Sequence, residues 1–231
     1  MGKQKSSGAM MNVLVLGASR GIGLELVRQY RKAGARVIAT ARDEAGLARL
    51  REAGAEPLHL DVADPASVSN LARQLDGEKL DVALYVAGVM DRASAATPPT
   101  REAFDRVMHT NLLGAMQVMP LVLPGVQAAA GVFGVLSSSM SLIGSVPASN
   151  AWLYRVSKAA LNMAVASARF DYPGARLVAL DPGWVQTDMG GGAAPLSVGD
   201  SVAGLLAAIT SLTEADNGRL IHHDGRRADH W

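Results

Sequence analysis

The chain has no cysteine, which excludes a disulfide framework, a thiolate metal site and a cysteine nucleophile. It has almost no net charge: 22 basic against 21 acidic residues leave +1, so no strong field recruits nucleic acid or an anionic membrane. No apolar run reaches the roughly 18 residues that span a bilayer, because Gly, Pro, Ser or a charge interrupts each one. Lys3 and Lys5 are not followed by an apolar h-region, so no secretory signal is expected. These absences point to a cytoplasmic protein with a flexible extension over residues 1–10. What is present is 231 residues with 49% hydrophobic content, long enough for one sizeable core, undivided by repeats or by a Pro/Gly/Ser linker. One domain over residues 11–231 is expected.

Short apolar runs occupy residues 12–16, 35–40, 56–60, 80–86, 131–136 and 175–180, with a last one at 219–222. Between them lie segments of helical spacing at 22–32, 44–53, 65–75, 101–121, 151–170 and 197–212. The strands are apolar throughout instead of alternating, which argues for a parallel sheet covered on both faces. The expected fold class is therefore a doubly wound α/β domain of Rossmann type. The glycine-rich stretch 190–195 reads as a mobile loop near a site.

Gly17-Ala18-Ser19-Arg20-Gly21-Ile22-Gly23 stands where the first strand hands over to the first helix, the place at which a dinucleotide's pyrophosphate docks in such sheets. The spacing is GxxxGxG, and glycines permit a tight turn with close approach of phosphate to backbone N–H groups. At the end of the second strand an acid would hold the 2′-hydroxyl of NAD, but Ala41 stands there, followed by Arg42. Arg42 and Arg20 supply two forked cations to a 2′-phosphate, so NADP(H) is favoured; Asp43 keeps NAD(H) possible. Asp61, with Val62 beside it, follows the third strand and is placed to bond the adenine or to cap the helix near Pro65. Ala87-Gly88 after the fourth strand gives a side-chain-poor floor for the cofactor.

Tyr154 and Lys158 lie one helical turn apart and project from one face. A phenol ionises near pH about 10, and a neighbouring cation lowers that, so the pair reads as a tuned proton donor, although such pairs also arise by chance. Asn111 falls on the apolar stripe of Phe104, Val107, Met108, Ala115 and Met119. A buried carboxamide is costly unless bonded, so it either holds a water in a proton path or satisfies backbone groups at a kink. Ser137, Ser138, Ser139 and Ser141 follow the fifth strand, at the sheet edge where ligands bind; one hydroxyl there could orient a carbonyl, and the residues alone do not choose among them.

Together the GASRGIG turn, Ala87-Gly88, Asn111 and the YxxxK pair resemble the short-chain dehydrogenase/reductase family, and the likeness runs from Asn12 onward. Residues 135–140, 154–163 and 182–191 are most similar to its small C-factor-like branch. The resemblance implies that Ser138, standing 16 residues before the tyrosine, orients the carbonyl, with Ser139 or Ser141 as substitutes. It further implies Tyr154 as proton donor, Lys158 on the nicotinamide ribose, and Asn111 supporting a water that leads to Lys158. Pro182, Gly183, Val185 and Thr187 would border the nicotinamide, with residues 190–195 closing over a small carbonyl or alcohol substrate. A homodimer or homotetramer built on the 101 and 151 helices is implied, as is a second possible role, a dinucleotide-binding signalling protein with little turnover. The chain departs from the family at Leu16, usually Thr, and at Tyr85-Val86, usually Asn-Asn, which suggests an apolar replacement for a polar contact. Asp181 stands where the branch often has His.

Overall fold

The computed structural model describes residues 10–231, so the extension expected over residues 1–10 lies, but for Met10, outside the described residues. Seven parallel strands form one sheet in the order β3-β2-β1-β4-β5-β6-β7. They are β1 (Asn12–Leu16), β2 (Arg36–Ala41), β3 (Glu56–His59), β4 (Val82–Tyr85), β5 (Val132–Leu136), β6 (Arg176–Asp181) and β7 (Leu220–His222). The helices are α1 (Gly21–Lys32), α2 (Glu44–Glu52), α3 (Pro65–Gln74), α4 (Arg101–Met108), α5 (Gly114–Ala128), α6 (Trp152–Ala168) and α7 (Val198–Thr210). Among the described residues no helix is long and apolar enough to cross a membrane.

The period of two along each strand sorts its side chains between two cores. Leu14, Leu16, Tyr85, Phe133 and Leu177 pack in one layer with Leu71, Val122 and Leu161 from α3, α5 and α6. Val13, Val15, Val37, Leu84 and Val178 pack in the other with Val27, Leu50 and Leu205 from α1, α2 and α7. Burial on both faces is why the strands read as continuous apolar runs. The chain builds outward from β1 through β2 to β3, then returns to β4 on the other side of β1. That reversal leaves a crevice at the strands' carboxyl ends, where the sequence motifs converge.

The single helix expected over residues 101–121 is interrupted. A π-helical turn, His109–Leu113, separates α4 from α5, and α5 then runs on past Pro120 and Pro124 to Ala128. Asn111 lies in this turn, fully buried. The kink reading of that residue thus has a concrete form: a widened turn frees backbone groups and aims a polar side chain out of the regular ladder. Strand and helix limits elsewhere fall within a residue or two of the sequence reading.

Asp216, in the short turn Glu214–Asp216 before β7, is a buried anchor. It accepts from Thr213 N at 2.8 Å and Thr213 Oγ1 at 2.9 Å, and from Arg227 Nε at 2.8 Å and Nη2 at 3.0 Å. The Arg227 hydrogen bond in particular holds its carboxyl well below the usual carboxylate range. Arg227 in turn ties down the segment whose His230 Nε2 meets Ser145 Oγ at 2.8 Å, in the loop after the serine cluster. Asp216→Ala is expected to cost about 2 kcal/mol of stability, the order for lost hydrogen bonds to a charged group. A group with a depressed folded pKa stabilises above its unfolded value near pH 4 and loses that contribution as pH falls. Chemical denaturation at pH 7 and pH 3 checks this: the gap between wild type and variant narrows in acid.

Candidate active site

The glycine turn is built for close approach. Gly17 has φ +87, and a Cβ there would lie 2.6 Å from Ala87 N, so only glycine lets β1 and the β4 edge meet. Val86 N and Ala87 N both donate to Leu16 O, at 2.8 and 3.1 Å, closing the floor beneath the turn. Gly17 N donates to Thr40 Oγ1 at 3.0 Å, a contact from β2 that sequence reasoning did not anticipate. The α1 N-cap is Arg20, which has no side-chain acceptor for the first-turn amides, and the first turn carries no acid. By contrast α2, α3, α4 and α7 are capped by Asp43, Asp64, Thr100 and Ser197. Helix-start N–H groups without a side-chain cap, beside Gly17 and Gly23 where a Cβ would strike backbone, fit a pyrophosphate. Ser19, Ile22 and Gly23 complete the turn, and Thr187 Cγ2 lies 3.5 Å from where a Gly21 Cβ would sit.

Asp43 spends its carboxylate on its own helix, accepting from Gly46 N at 2.7 Å, which weighs against a ribose diol as its partner. Arg42 is exposed beside it. Arg20 is placed otherwise than expected: its Nη1 meets Asp188 Oδ2 at 2.9 Å, bridging the glycine turn to the segment after β6. A third arginine, Arg49, reaches back from α2 to donate to Ser19 O at 2.8 Å. It escaped the sequence reading, because Arg42 precedes the Asp43 cap of α2 and no helical spacing links the two arginines. Asp61 accepts from Ala63 N at 2.9 Å and does not cap α3, since Asp64 does. Val62 packs its side chain into the core.

The departures at Leu16 and Tyr85 are both fully buried, but the replacement is not wholly apolar as expected. Tyr85 Oη donates to Thr110 O at 2.7 Å, satisfying a carbonyl of the π-helical turn. Asn111 binds the next loop from both ends of its carboxamide: Oδ1 accepts from Val89 N and Nδ2 donates to Val89 O, each at 2.8 Å. Nδ2 also donates to Ser157 Oγ at 2.9 Å, and Ser157 Oγ donates to Tyr154 O at 2.7 Å. The π-helical turn is thereby bolted to α6.

On α6, Tyr154 and Lys158 are both buried. Lys158 Nζ donates to Leu136 O at 2.6 Å and stands 5.6 Å from the Tyr154 ring centre. A Cβ on Gly88 would be 3.5 Å from Lys158 Nζ and from Asn111 Oδ1, so these groups converge on the floor. Of the four serines, Ser138 is the one whose hydroxyl acts on Tyr154, favouring its ionised form; Ser138 Oγ also accepts from Met140 N at 3.1 Å. Ser141 is turned inward, donating to Ser138 O and accepting from Asn162 Nδ2 at 2.7 Å, while Ser137 donates to Asn162 Oδ1 at 2.6 Å. Ser139 is exposed.

The expected lowering of the tyrosine's pKa is not found. Burial pushes Tyr154 up to about 12; the Ser138 hydroxyl pulls it down and the Asp181 charge pushes it further up. Burial likewise pushes Lys158 down to about 8. The desolvation that each group suffers outweighs their mutual effect. Near neutrality the phenol keeps its proton beside a charged amine, the state in which it can serve as an acid.

After β6, Pro182 and Val185 are buried and Gly183 has φ +79. The stretch 190–195, expected to be a mobile loop, is pinned: Trp184 Nε1 donates to Gly190 O at 2.8 Å, Gly190 N to Thr187 Oγ1 at 3.0 Å and Gln186 Nε2 to Ala194 O at 2.9 Å. Arg92 Nη2 donates to Met189 O, joining it to the loop after β4.

The pattern that defines the short chain dehydrogenase family matches residues 11–195, and the chain belongs to that family. It is 38% identical over 151 residues to the C-signal of Myxococcus xanthus, a stretch covering 63% of this chain and 90% of that one. It is 33% identical over 228 residues to the 1-hydroxy-2-glutathionyl-2-methyl-3-butene dehydrogenase of Rhodococcus sp. (strain AD45), covering 94% and 98%. The fold superposes on the carbonyl reductase Sniffer of Drosophila melanogaster with a TM-score of 0.88 at 28% identity, covering 96% and 100%. It superposes on a short-chain dehydrogenase/reductase of Burkholderia multivorans with NADP bound with a TM-score of 0.86 at 28% identity, with the same coverage. The chain is thus an oxidoreductase of this family, acting on small molecules.

Proposed function

We propose that residues 11–231 act as one catalytic domain that reduces a small-molecule carbonyl to an alcohol, or runs the reverse, with NADP(H) preferred. The observation that carries the reading is buried Tyr154, its ionisation influenced by the Ser138 hydroxyl, with buried Lys158 one turn away and bonded to Leu136 O at the carboxyl edge of the sheet. When bound, NADPH supplies the hydride to the carbonyl carbon. Ser138 Oγ holds the carbonyl oxygen, and Tyr154 Oη donates its proton to that oxygen as it gains charge. The Lys158 ammonium stabilises the phenolate left behind and holds the nicotinamide ribose, and Asn111 supports a water that restores the proton through Lys158. Gly17 to Gly23 cradle the pyrophosphate; Asp61 and the Val62 backbone meet the adenine; Ala87 and Gly88 form the floor; Pro182, Gly183, Val185 and Thr187 border the nicotinamide. Such residues fit the cofactor because the turn has free amides and no acid where the 2′-phosphate would lie.

A protein that only binds the nucleotide has no use for a buried, protonated phenol beside a serine hydroxyl, which favours turnover over a purely signalling role. Phe104 on α4, Met116 on α5 and Val156, Met163 and Phe170 on or beside α6 are exposed, which supports self-association into a homodimer or homotetramer through these helices.

Cofactor preference is testable at Arg42. Arg42→Ala should raise the NADPH KM by about 10- to 100-fold, the range for losing a charge-assisted hydrogen bond to phosphate. The NADH KM should stay within about threefold. Equal changes for both cofactors would remove Arg42 from 2′-phosphate recognition. Oxidation of NADPH with a panel of aldehydes and ketones tests the reading as a whole; binding without consumption on any of them would favour the signalling role.

A further inference from the structure

Asp181 and His222 end the adjacent strands β6 and β7 and are register partners there. Both lie at the carboxyl edge, and Asp181 immediately precedes the Pro182–Gly183 turn. Asp181 is 4% exposed, and its carboxylate has two bonds: Oδ2 with His222 Nδ1 at 2.8 Å, and Oδ1 accepting from Gly183 N at 3.2 Å. The ladder continues one step beyond the strands, with His223 N donating to Asp181 O at 2.8 Å. A buried carboxylate is costly, and its two oxygens are here divided between a neighbouring strand and the turn itself. Gly183 holds a left-handed φ of +79, and a Cβ there would lie 3.0 Å from His223 Nδ1. The turn has little freedom once Asp181 grips its N–H.

We propose that the Asp181–His222 pair is a positioning element: His222 fixes the carboxylate, and the carboxylate sets the Pro182–Gly183 turn at the height the nicotinamide needs. The proposal rests on the reading of that turn as the nicotinamide border. It accounts for an acid at the sheet edge that no step of proton transfer uses. A histidine in place of Asp181 has no carboxylate with which to bond both the turn N–H and His222.

The pair also bears on the proton donor. Tyr154 is faced by the Ser138 hydroxyl, by the Lys158 amine on its own helix and by the Asp181 charge, which disfavours the phenolate. His222 is faced by Asp181, whose hydrogen bond raises its pKa most, and by Asp224 and Arg226 from the following turn. Neutralising Asp181 therefore eases ionisation of Tyr154, while His222 keeps its Nδ1–H bond in either charge state provided that nitrogen holds the proton.

The test measures the NADPH dissociation constant by fluorescence, which needs no substrate, and then the pH dependence of kcat. Asp181→Ala, which loses both bonds, should weaken NADPH binding about tenfold. Asp181→Asn keeps an oxygen for Gly183 N and offers an N–H to His222 Nδ1 once that imidazole carries its proton on Nε2, so it should stay within about threefold of wild type, while the alkaline limb of its kcat profile moves to lower pH. Should Asp181→Ala fail to fold, His222→Ala decides: loss of the clamp should weaken NADPH about threefold to fivefold. Wild-type affinity in Asp181→Ala or His222→Ala, or equal weakening in Asp181→Asn and Asp181→Ala, overturns the proposal. Tight NADPH binding with no turnover in wild type overturns the carbonyl-reductase reading alone, since the affinity comparison still stands.

Discussion

Tyr154→Phe is expected to lower kcat for carbonyl reduction by about 10²- to 10⁴-fold, the range for losing a positioned general acid. NADPH affinity should stay within about threefold, because the ring, its packing and Lys158 remain. The physical basis is the state of the phenol: buried, with a pKa pushed up to about 12, it is protonated at neutral pH. The oxygen developing charge on the substrate has no better-placed acid, since Ser138 is far weaker, Asn111 is committed to Val89 and Ser157, and Lys158 Nζ donates to Leu136 O at 2.6 Å. Steady-state kinetics with a fixed carbonyl, alongside a cofactor titration, separates the two parameters. A variant that keeps more than about a tenth of wild-type kcat would mean that protons reach the substrate by another route.

Lys158→Met carries the second large effect, and its two halves have opposite signs. Activity should fall by about 10²-fold or more, since the phenolate loses its neighbouring charge and the ribose its donor. Stability should rise. Burial brings the Lys158 pKa from 10.5 to about 8, so at pH 7 the native state carries a charged amine that is better solvated in the unfolded chain. At about 1.4 kcal/mol per pKa unit this costs about 3 kcal/mol, and a bereft Leu136 carbonyl returns about 1 of that in the variant. About 2 kcal/mol remains, worth roughly 4–8 °C in Tm for a chain of this size. Between the folded and unfolded pKa values the unfolded state binds more protons, so wild-type stability rises with pH there and the gap closes toward pH 10. Thermal melts of both proteins at pH 7 and pH 10 check the sign. A variant that melts below wild type at pH 7 would show that the hydrogen bond to Leu136 outweighs the buried charge.

Much of this arrangement was legible in the chain because its causes are local. Apolar runs bounded by glycine marked the strands, and the place of Gly17 to Gly23 after the first of them marked the cradle. Asn111 stood out as a carboxamide on an apolar stripe, and it is buried, although Phe104 of that stripe is exposed and the π-helical turn breaks its period. Other features depend on partners far along the sequence. Thr40 meets Gly17 across 23 residues and Tyr85 meets Thr110 across 25, and nothing near either residue announces the contact. The Arg20–Asp188 ion pair spans 168 residues, so a cation assigned to phosphate from its neighbours alone turned out to have an acid opposite it. The tyrosine's pKa was misjudged for the same reason: helical spacing reports the neighbouring charge but not the depth of burial, and burial is the larger influence here. The pinned stretch 190–195 shows that three glycines in a row do not set mobility when Trp184, Gln186 and Thr187 side chains hold the segment.

Isotope transfer tests the core of this account most directly. NADPH deuterated at the transferring position of the nicotinamide is incubated with the protein and a carbonyl, and the alcohol is examined by mass spectrometry. One deuterium on the carbinol carbon, absent from the Tyr154→Phe reaction over the same interval, is the expected result. Cofactor that binds tightly yet passes no deuterium to any aldehyde or ketone would contradict it.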